Sequence, residues 1–359
     1  MTQPAAITSH TSARPQGGPE SVLWAGMRIV MELPIALYGL CMCAYLLARV
    51  TIGEESHAIA FANNLVPWWA LGGLGCVALA LFMRHRWLLV ALQLPILAAF
   101  AVLYGHQFCP HSYAHEVPGG HELTVITFNM ESSNTNVRAA AQMLIDVDAD
   151  VVGLQEIKTA HVDELITALS PTYPYQYIYD SGRASTLGLF SRYPIIDRAA
   201  YHPKRGFARH LRTVLDVDGT AIIVYVAHPD PPHKFLSPVN YDDSTRDEQI
   251  ATMRDSIAAD NGPLLMLCDC NMTDQSDAYR AMDRLLNDTF REVGWGLGLT
   301  FPARSNEYFV GLFPIMRLEY VWHNTFFVPL DIRVHPDTGS SDHHPVVARL
   351  VLKQGLSLG

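Results

Sequence analysis

The sequence predicts an α/β chain in two parts: three apolar helices able to cross a bilayer, then a soluble region of two packed sheets with helices outside. Three observations lead there. Apolar residues make up 49% of the 359-residue chain, yet they concentrate in long uncharged runs within roughly the first hundred positions. Downstream, short strand-like segments outnumber helical ones, with no regular strand–helix alternation and no glycine-rich phosphate loop. Polar residues then recur at the ends of those strands.

Ile29–Ala48 carries Glu32 as its one charge, while Leu65–Met83 and Trp87–Tyr104 carry none. Each run is long enough to cover about 30 Å of hydrocarbon as a helix. Pro34 lies near the start of the first run, where it is tolerated, and Pro95 inside the third predicts a kink. Arg14 and Arg28 precede the first run, and Arg84 and Arg86 separate the last two. The remaining loop offsets Arg49 with Glu54 and Glu55. That bias places the N-terminus in the cytoplasm, and three crossings then place the C-terminal domain on the periplasmic or extracellular side of the cell membrane. The expected partner is therefore a lipid bilayer, met through three N-terminal helices. The expected organisation is a disordered tail over 1–28, spans over 29–105, a linker over 106–121 and a soluble domain over 122–353.

In the soluble part, Leu123–Phe128, Asp150–Leu154, Tyr175–Tyr179, Thr186–Phe190, Ile195–Ala200, Leu211–Val217, Ala221–Ala227 and Leu264–Leu267 read as strands. Leu318–Trp322, Asp331–His335 and Val346–Val351 look like closing strands. Asn134–Val147, Ala160–Leu169, Asp243–Ala259 and Ser276–Leu286 have helical spacing. Asp216–Gly219 supplies a hairpin turn.

The chain carries a formal charge of -10. From His106 onward 20 Lys/Arg face 31 Asp/Glu, a net of -11. A field of that sign repels a long phosphate backbone and disfavours tight non-specific nucleic-acid binding. It does not bear on a small phosphate ester beside a bound metal. Nothing in the sequence designates a protein partner. The 6 cysteines lack zinc-ligand or framework spacing, and Cys268 and Cys270 are expected to be small packing residues.

Asn129, Gln155-Glu156, His228, Asp269, Asn271 and Asp342-His343 all flank strands, and Glu319 lies in one. Carboxylates, imidazoles and amides without thiolates form a metal and acid–base inventory suited to Mg²⁺ or Mn²⁺. The ordered motifs are Thr127-Phe128-Asn129, Leu154-Gln155-Glu156, Gly188 to Pro194 (GLFSRYP), Val226-Ala227-His228-Pro229, Asp269-Cys270-Asn271, Arg317 to Val321 (RLEYV) and Ser341 to Val346 (SDHHPV). Together they resemble the endonuclease/exonuclease/phosphatase superfamily, shared by DNase I-like nucleases, inositol phosphatases and bacterial sphingomyelinases. The multi-span N-terminus, with His228 to Pro232 and Thr300-Phe301-Pro302, is similar to its bacterial membrane-bound branch. The resemblance covers about Leu123 to Leu352. It implies a four-layer α/β sandwich of two packed, mainly antiparallel sheets with outer helices.

The resemblance also implies roles. Glu156 is the principal metal ligand, Asn129 stands beside the metal, and Asp342 is near it or on a second ion. One or two Mg²⁺ ions are implied, with Mn²⁺ as the alternative. His343 is the catalytic imidazole, either taking a proton from water or stabilising the attacked phosphate. Glu319, where the family has Asp, is its orienting carboxylate. Asp269 positions or deprotonates the water, Asn271 binds a phosphate oxygen, and His228 contacts the phosphate or protonates the leaving group. Arg209 and Arg192 are phosphate-clamp candidates, with a structural role favoured for Arg192.

The implied activity is metal-dependent hydrolysis of a phosphate ester by in-line attack of water. The tethered domain and the apolar stretch Tyr308–Met316, either a lipid-touching rim loop or a core strand, lean toward a small or lipid phosphodiester. A membrane-anchored nuclease of the same fold, and a membrane scaffold with a decayed site, are the alternatives.

Overall fold

The computed structural model describes residues 19–109, 120–179, 186–201, 209–233, 240–304 and 313–353. Positions 1–18 of the expected tail, most of the expected linker and residues 308–312 of the apolar stretch lie outside the described residues. The chain divides into two compact units, Met1–Leu47 with Trp68–Ala99, and Ala48–Pro67 with Phe100–Gly359.

The first unit takes up most of the helices α1 (Pro19–Thr51), α3 (Val66–Ala80) and α4 (Arg86–Tyr104); α2 (His57–Asn63) belongs to the second. Among the described residues, two segments, Val30–Thr51 and Arg86–Phe108, are long and apolar enough to cross a membrane. The three-span expectation is thereby corrected. The middle run contains a helix of only 15 residues, about 22 Å at 1.5 Å per residue against a ~30 Å hydrocarbon core. Just past the run, the Glu32 carboxylate accepts the backbone N–H groups of Arg84 and His85 at 2.7 and 3.2 Å, in the turn expected between the second and third runs. Bilayer attachment through three helices is withdrawn, and an orientation counted over three crossings does not carry over.

Among the described residues, the second unit holds two six-stranded sheets. Its strands are β1 (His121–Asn129), β2 (Val151–Ile157), β3 (Tyr175–Tyr179), β4 (Thr186–Ser191), β5 (Ile195–Tyr201), β6 (Arg209–Val217), β7 (Thr220–His228), β8 (Leu264–Asp269), β9 (Asn287–Asp288), β10 (Glu319–His323), β11 (Phe327–Val334) and β12 (Val346–Leu352). The strand orders are β11-β12-β1-β2-β4-β3 and β5-β6-β7-β8-β10-β9. Helices α5 (Val137–Val147) and α6 (Val162–Leu169) precede and follow β2. Helices α7 (Ser244–Ala259), α8 (Asp277–Asp283) and α9 (Thr289–Val293) flank β8 and β9.

Three apolar layers account for the packing. Between the sheets, Val125, Val151 and Leu189 meet Leu211, Val224 and Leu267. On the outer face of the first sheet, Ile126, Phe128 and Leu154 receive Leu144, Leu165 and Leu169 from α5 and α6. On the outer face of the second, Tyr225, Met266 and Cys268 receive Ile250, Met253 and Met282 from α7 and α8. Gly153 sits where the two sheets approach closely. A Cβ there would meet the Leu267 side chain at 2.8 Å. Local punctuation agrees with the sequence. Asn136 caps α5 by accepting from the Ala139 N–H. The β6–β7 hairpin turns on Asp218 and Gly219, both at positive φ, the geometry that Asp-Gly favours.

The topology also explains where the strands end. Each sheet is antiparallel apart from one central parallel pair, β1·β2 in the first and β7·β8 in the second. Parallel neighbours finish at the same edge, so Asn129 and Glu156 end side by side, as do His228 and Asp269. Antiparallel neighbours start there. Glu319 opens β10 directly opposite Asp269, and β12, led in by Ser341–Pro345, begins opposite Thr127.

Candidate active site

These ends surround a cavity of about 540 Å³. Its lining includes Glu156, Asp269, Asn271, Asp342 and His343, together with Glu131, Ser132, Phe301, Arg304, Tyr241 and Asn64.

Glu156 reaches it through a break in the ladder. The β2–β4 register shifts between Leu154 and Ile157, and Glu156 takes φ 52°. A bulge of this kind re-aims a side chain, and a left-handed non-glycine residue costs on the order of 1 kcal/mol or more. Asn271 repeats the device beyond β8 at φ 46°. The amide of Asn129 ties the two sheets together, donating to Glu156 Oε1 at 3.1 Å and to Asp269 Oδ2 at 2.7 Å. The Ser132 N–H binds the other Glu156 oxygen at 3.2 Å, and His228 Nε2 lies 3.4 Å from Oε1. Burial pushes the Glu156 carboxyl up, but His228, His343 and the two hydrogen bonds outweigh it and hold it below the usual range.

Across the cavity, His343 Nδ1 is hydrogen-bonded to Glu319 Oε1, and Nε2 lies 3.7 Å from Asp342 Oδ1. Glu319 is 1% exposed, and its second oxygen is buried without a hydrogen-bond partner. The Phe301 ring packs on the imidazole with centroids 4.6 Å apart. Burial opposes the charge on His343, yet Glu319, Asp269 and Asp342 overcome it and push its pKa up to about 10. Asp269 is also raised. Burial and the nearby Glu319 act against its charge more strongly than His343 and His228 favour it.

Asn271 donates to the Pro229 carbonyl at 2.9 Å and stands 3.1 Å from His228 Nε2. Arg209 pairs with His228 in the β6–β7 ladder; its side chain lies outside the described residues. Arg192 is engaged elsewhere, with Asp148 and Asp150. Of the apolar stretch, Met316 lines the cavity and Phe313 is exposed.

A divalent cation suits this donor set. Asp269, Glu319 and His343 bring their polar atoms within 4.8 Å of one another, and with the imidazole protonated and bonded to Glu319 the carboxylates are the donors left for an ion. The orphaned Glu319 oxygen and the Glu156 carboxylate supply further hard donors with no thiolate. Two other acidic groups, His57–Asp242–Asp243 and Glu54–Asp243–Asp247, adjoin Arg246, whose guanidinium pairs with Asp243 and Asp247.

Sequence reasoning missed Glu131, Arg304 and Asn64. Glu131 Oε2 accepts the Asp342 N–H at 2.9 Å and Arg304 Nη2 at 2.6 Å. No strand end or motif announces them, although Glu131 lies only two positions beyond Asn129. Cys268 and Cys270 also depart from expectation, since they are joined in a disulfide. As i and i+2 residues of an extended stretch they face the same way, on either side of Asp269.

A family model described as "Endonuclease/Exonuclease/phosphatase family" matches residues 126–343. Among solved structures, an endonuclease/exonuclease/phosphatase from Bacteroides vulgatus aligns at TM-score 0.53 and 18% identity, over 65% of this chain and 99% of its own. TDP2 from Caenorhabditis elegans aligns at TM-score 0.54 and 16% identity, over 71% and 80%. A mannosyl-6-phosphatase from Bacteroides thetaiotaomicron aligns at TM-score 0.52 and 19% identity, over 64% and 100%. At these identities the likeness is one of fold. No curated protein matches.

Proposed function

Because the chain belongs to the endonuclease/exonuclease/phosphatase family, matched over more than half its length, we propose that it hydrolyses a phosphodiester of low charge, small or lipid, with the help of a divalent cation. The observation that carries this reading is the Glu319–His343 pair, set across one cavity from Glu156 and Asn271. A cation bound among the carboxylates would neutralise charge on the phosphoryl oxygens. Glu156 is the main residue to hold it, supported by Asn129, with Asp342 nearby.

The protein's own groups divide the remaining work. Glu319 fixes the Nδ1 proton of His343, leaving Nε2 toward the cavity. Held in its protonated form, His343 serves as a donor to the attacked phosphoryl group more readily than as a base. Asp269, whose proton affinity is raised by burial and by Glu319, accepts the proton of the attacking water. Asn271 and His228 take phosphate oxygens.

The lining favours a substrate with little charge beyond the scissile phosphate. Glu131, Glu156, Asp269 and Asp342 face the basic residues Arg304 and His343, and Arg304 is already on Glu131. Phe301, Met316, Leu318 and Pro231 offer apolar contact. Together with the two candidate spans, this supports a place in the membrane-bound branch and a lipid or other amphipathic substrate.

The test uses the full-length chain in detergent with bis-p-nitrophenyl phosphate, sphingomyelin or plasmid DNA, with Mg²⁺ or EDTA. The expected result is Mg²⁺-dependent diester turnover, abolished by EDTA, E156A or H343A. Preferential nicking of DNA would move the reading to a nuclease. No turnover on any probe would leave a non-catalytic scaffold.

A further inference from the structure

One part of the cavity lining comes from outside the matched residues 126–343. Asn64 directly follows α2, in the segment Ala48–Pro67, and faces the cavity beside Tyr241, Met272 and Thr273. We propose that Asn64 is a specificity-determining residue of this site. It hydrogen-bonds a neutral hydroxyl or amide on the part of the diester that lies away from the phosphorus. The proposal rests on the phosphoesterase reading of the same pocket.

The side chain is held in place and still has capacity. Its Nδ2 donates to the Tyr241 hydroxyl at 3.0 Å, and its Oδ1 accepts from the Thr273 hydroxyl at 2.9 Å. A primary amide has two N–H groups and two lone pairs. One of each is therefore left on a residue that borders the cavity. A neutral partner fits, because a second phosphate would meet a lining dominated by carboxylates.

The segment is docked firmly enough to define a wall. Asn63 donates to Glu54 Oε1 at 2.6 Å, and Glu54 Oε2 accepts the Asp277 N–H at 2.6 Å. Arg49 bridges Asn63 and Gln275 at 3.0 and 2.8 Å. The Phe61 ring meets Tyr241 edge-on, with centroids 5.8 Å apart. From Tyr241 the chain of contacts continues inward: Arg246 Nη1 donates to the Tyr241 hydroxyl at 3.5 Å and to the Asn271 carbonyl at 3.2 Å. The distance between Asn64 and the phosphate-binding end is thus fixed by packed side chains, the support a specificity contact requires.

The probe is a pair of diesters with one leaving group, glyceryl p-nitrophenyl phosphate and ethyl p-nitrophenyl phosphate, tested on the full-length chain with Mg²⁺. The wild type should have a lower KM for the glyceryl ester. N64A should raise that KM about tenfold, the scale of one hydrogen bond. It should leave kcat within about twofold and the ethyl ester unaffected, as expected when a contact shared by ground and transition states is removed. A wild type without preference, or an N64A variant that keeps it, overturns the proposal. A second variant reads the wall: T273V removes the hydroxyl that Asn64 Oδ1 accepts and should reduce the glyceryl preference while leaving the ethyl ester unaffected. A folded T273V enzyme that keeps the full preference overturns the wall and leaves the phosphoesterase reading standing. Turnover of neither ester sinks both.

Discussion

The floor and the wall of the cavity are built in different ways. The floor comes from residues at or beside strand ends. Asn129, Glu156, His228, Asp269, Glu319 and, just ahead of β12, His343 are placed by two parallel pairs and their antiparallel neighbours, and each touches another of the group. The wall comes from connections, with Glu131 and Arg304 on loops and Asn64 following a short helix. A ladder fixes position through the backbone, so chemistry placed on it is rigid. A docked connection can change without disturbing the ladder. Catalysis should therefore live on the floor and selectivity on the wall, and substitutions in the two places should separate kcat from KM.

The largest effect should follow loss of the imidazole. H343A is expected to lower kcat by roughly 10³- to 10⁴-fold, the upper range for a positioned acid–base group, with KM little changed. A comparable rise in KM would blur the division between floor and wall. Next comes E319Q, which keeps the shape but removes the charge that holds the His343 proton. A fall in kcat of about 10²-fold is expected. E319D withdraws the carboxylate by one methylene, about 1.5 Å, and should cost about tenfold by lengthening the hydrogen bond. Equal rates for E319D and the wild type would mean that the Asp-to-Glu departure has no mechanistic weight.

A pH series sharpens the same point through stability. His343 is pushed up to about 10 in the folded protein, above its ordinary value near 6.5. The folded state then binds the proton more tightly than the unfolded one. That contribution is fully present below pH about 6.5 and is lost as pH rises through about 10. The melting temperature should fall across that window more steeply in the wild type than in E319Q. Parallel curves would contradict the pairing. The smallest functional effect should come from G153A, which lies between the sheets and does not line the cavity. A Cβ 2.8 Å from Leu267 should cost about 1–3 kcal/mol by overpacking, read by denaturant titration, with kcat unchanged.

Legibility followed the same division. Strand-length alternation bounded by Gly, Pro and Asp located Tyr175–Tyr179 and the Asp218-Gly219 hairpin, because those signals act over a few residues. Floor residues were visible for the same reason, since each sits where an apolar strand meets a polar residue. The wall had no such signal. Asn64 gains its place only when a distant segment docks beside Tyr241 and Thr273. The apolar N-terminal runs failed differently. Absence of charge over Leu65–Met83 says nothing about where a helix stops, and the helix there ends at Ala80, inside the uncharged run. The Cys268–Cys270 bond was passed over because the spacing matched no framework.

The central claim is that distant strand ends deliver Glu156, Asp269, Glu319 and His343 to one cation-binding cavity, and Mn²⁺ binding tests it most directly. Electron paramagnetic resonance on the full-length protein at neutral pH should show Mn²⁺ bound by the wild type and at least about tenfold weaker binding by E156A, as expected for loss of a principal carboxylate ligand. Equal affinity in the two proteins, or no binding by the wild type, would contradict the account.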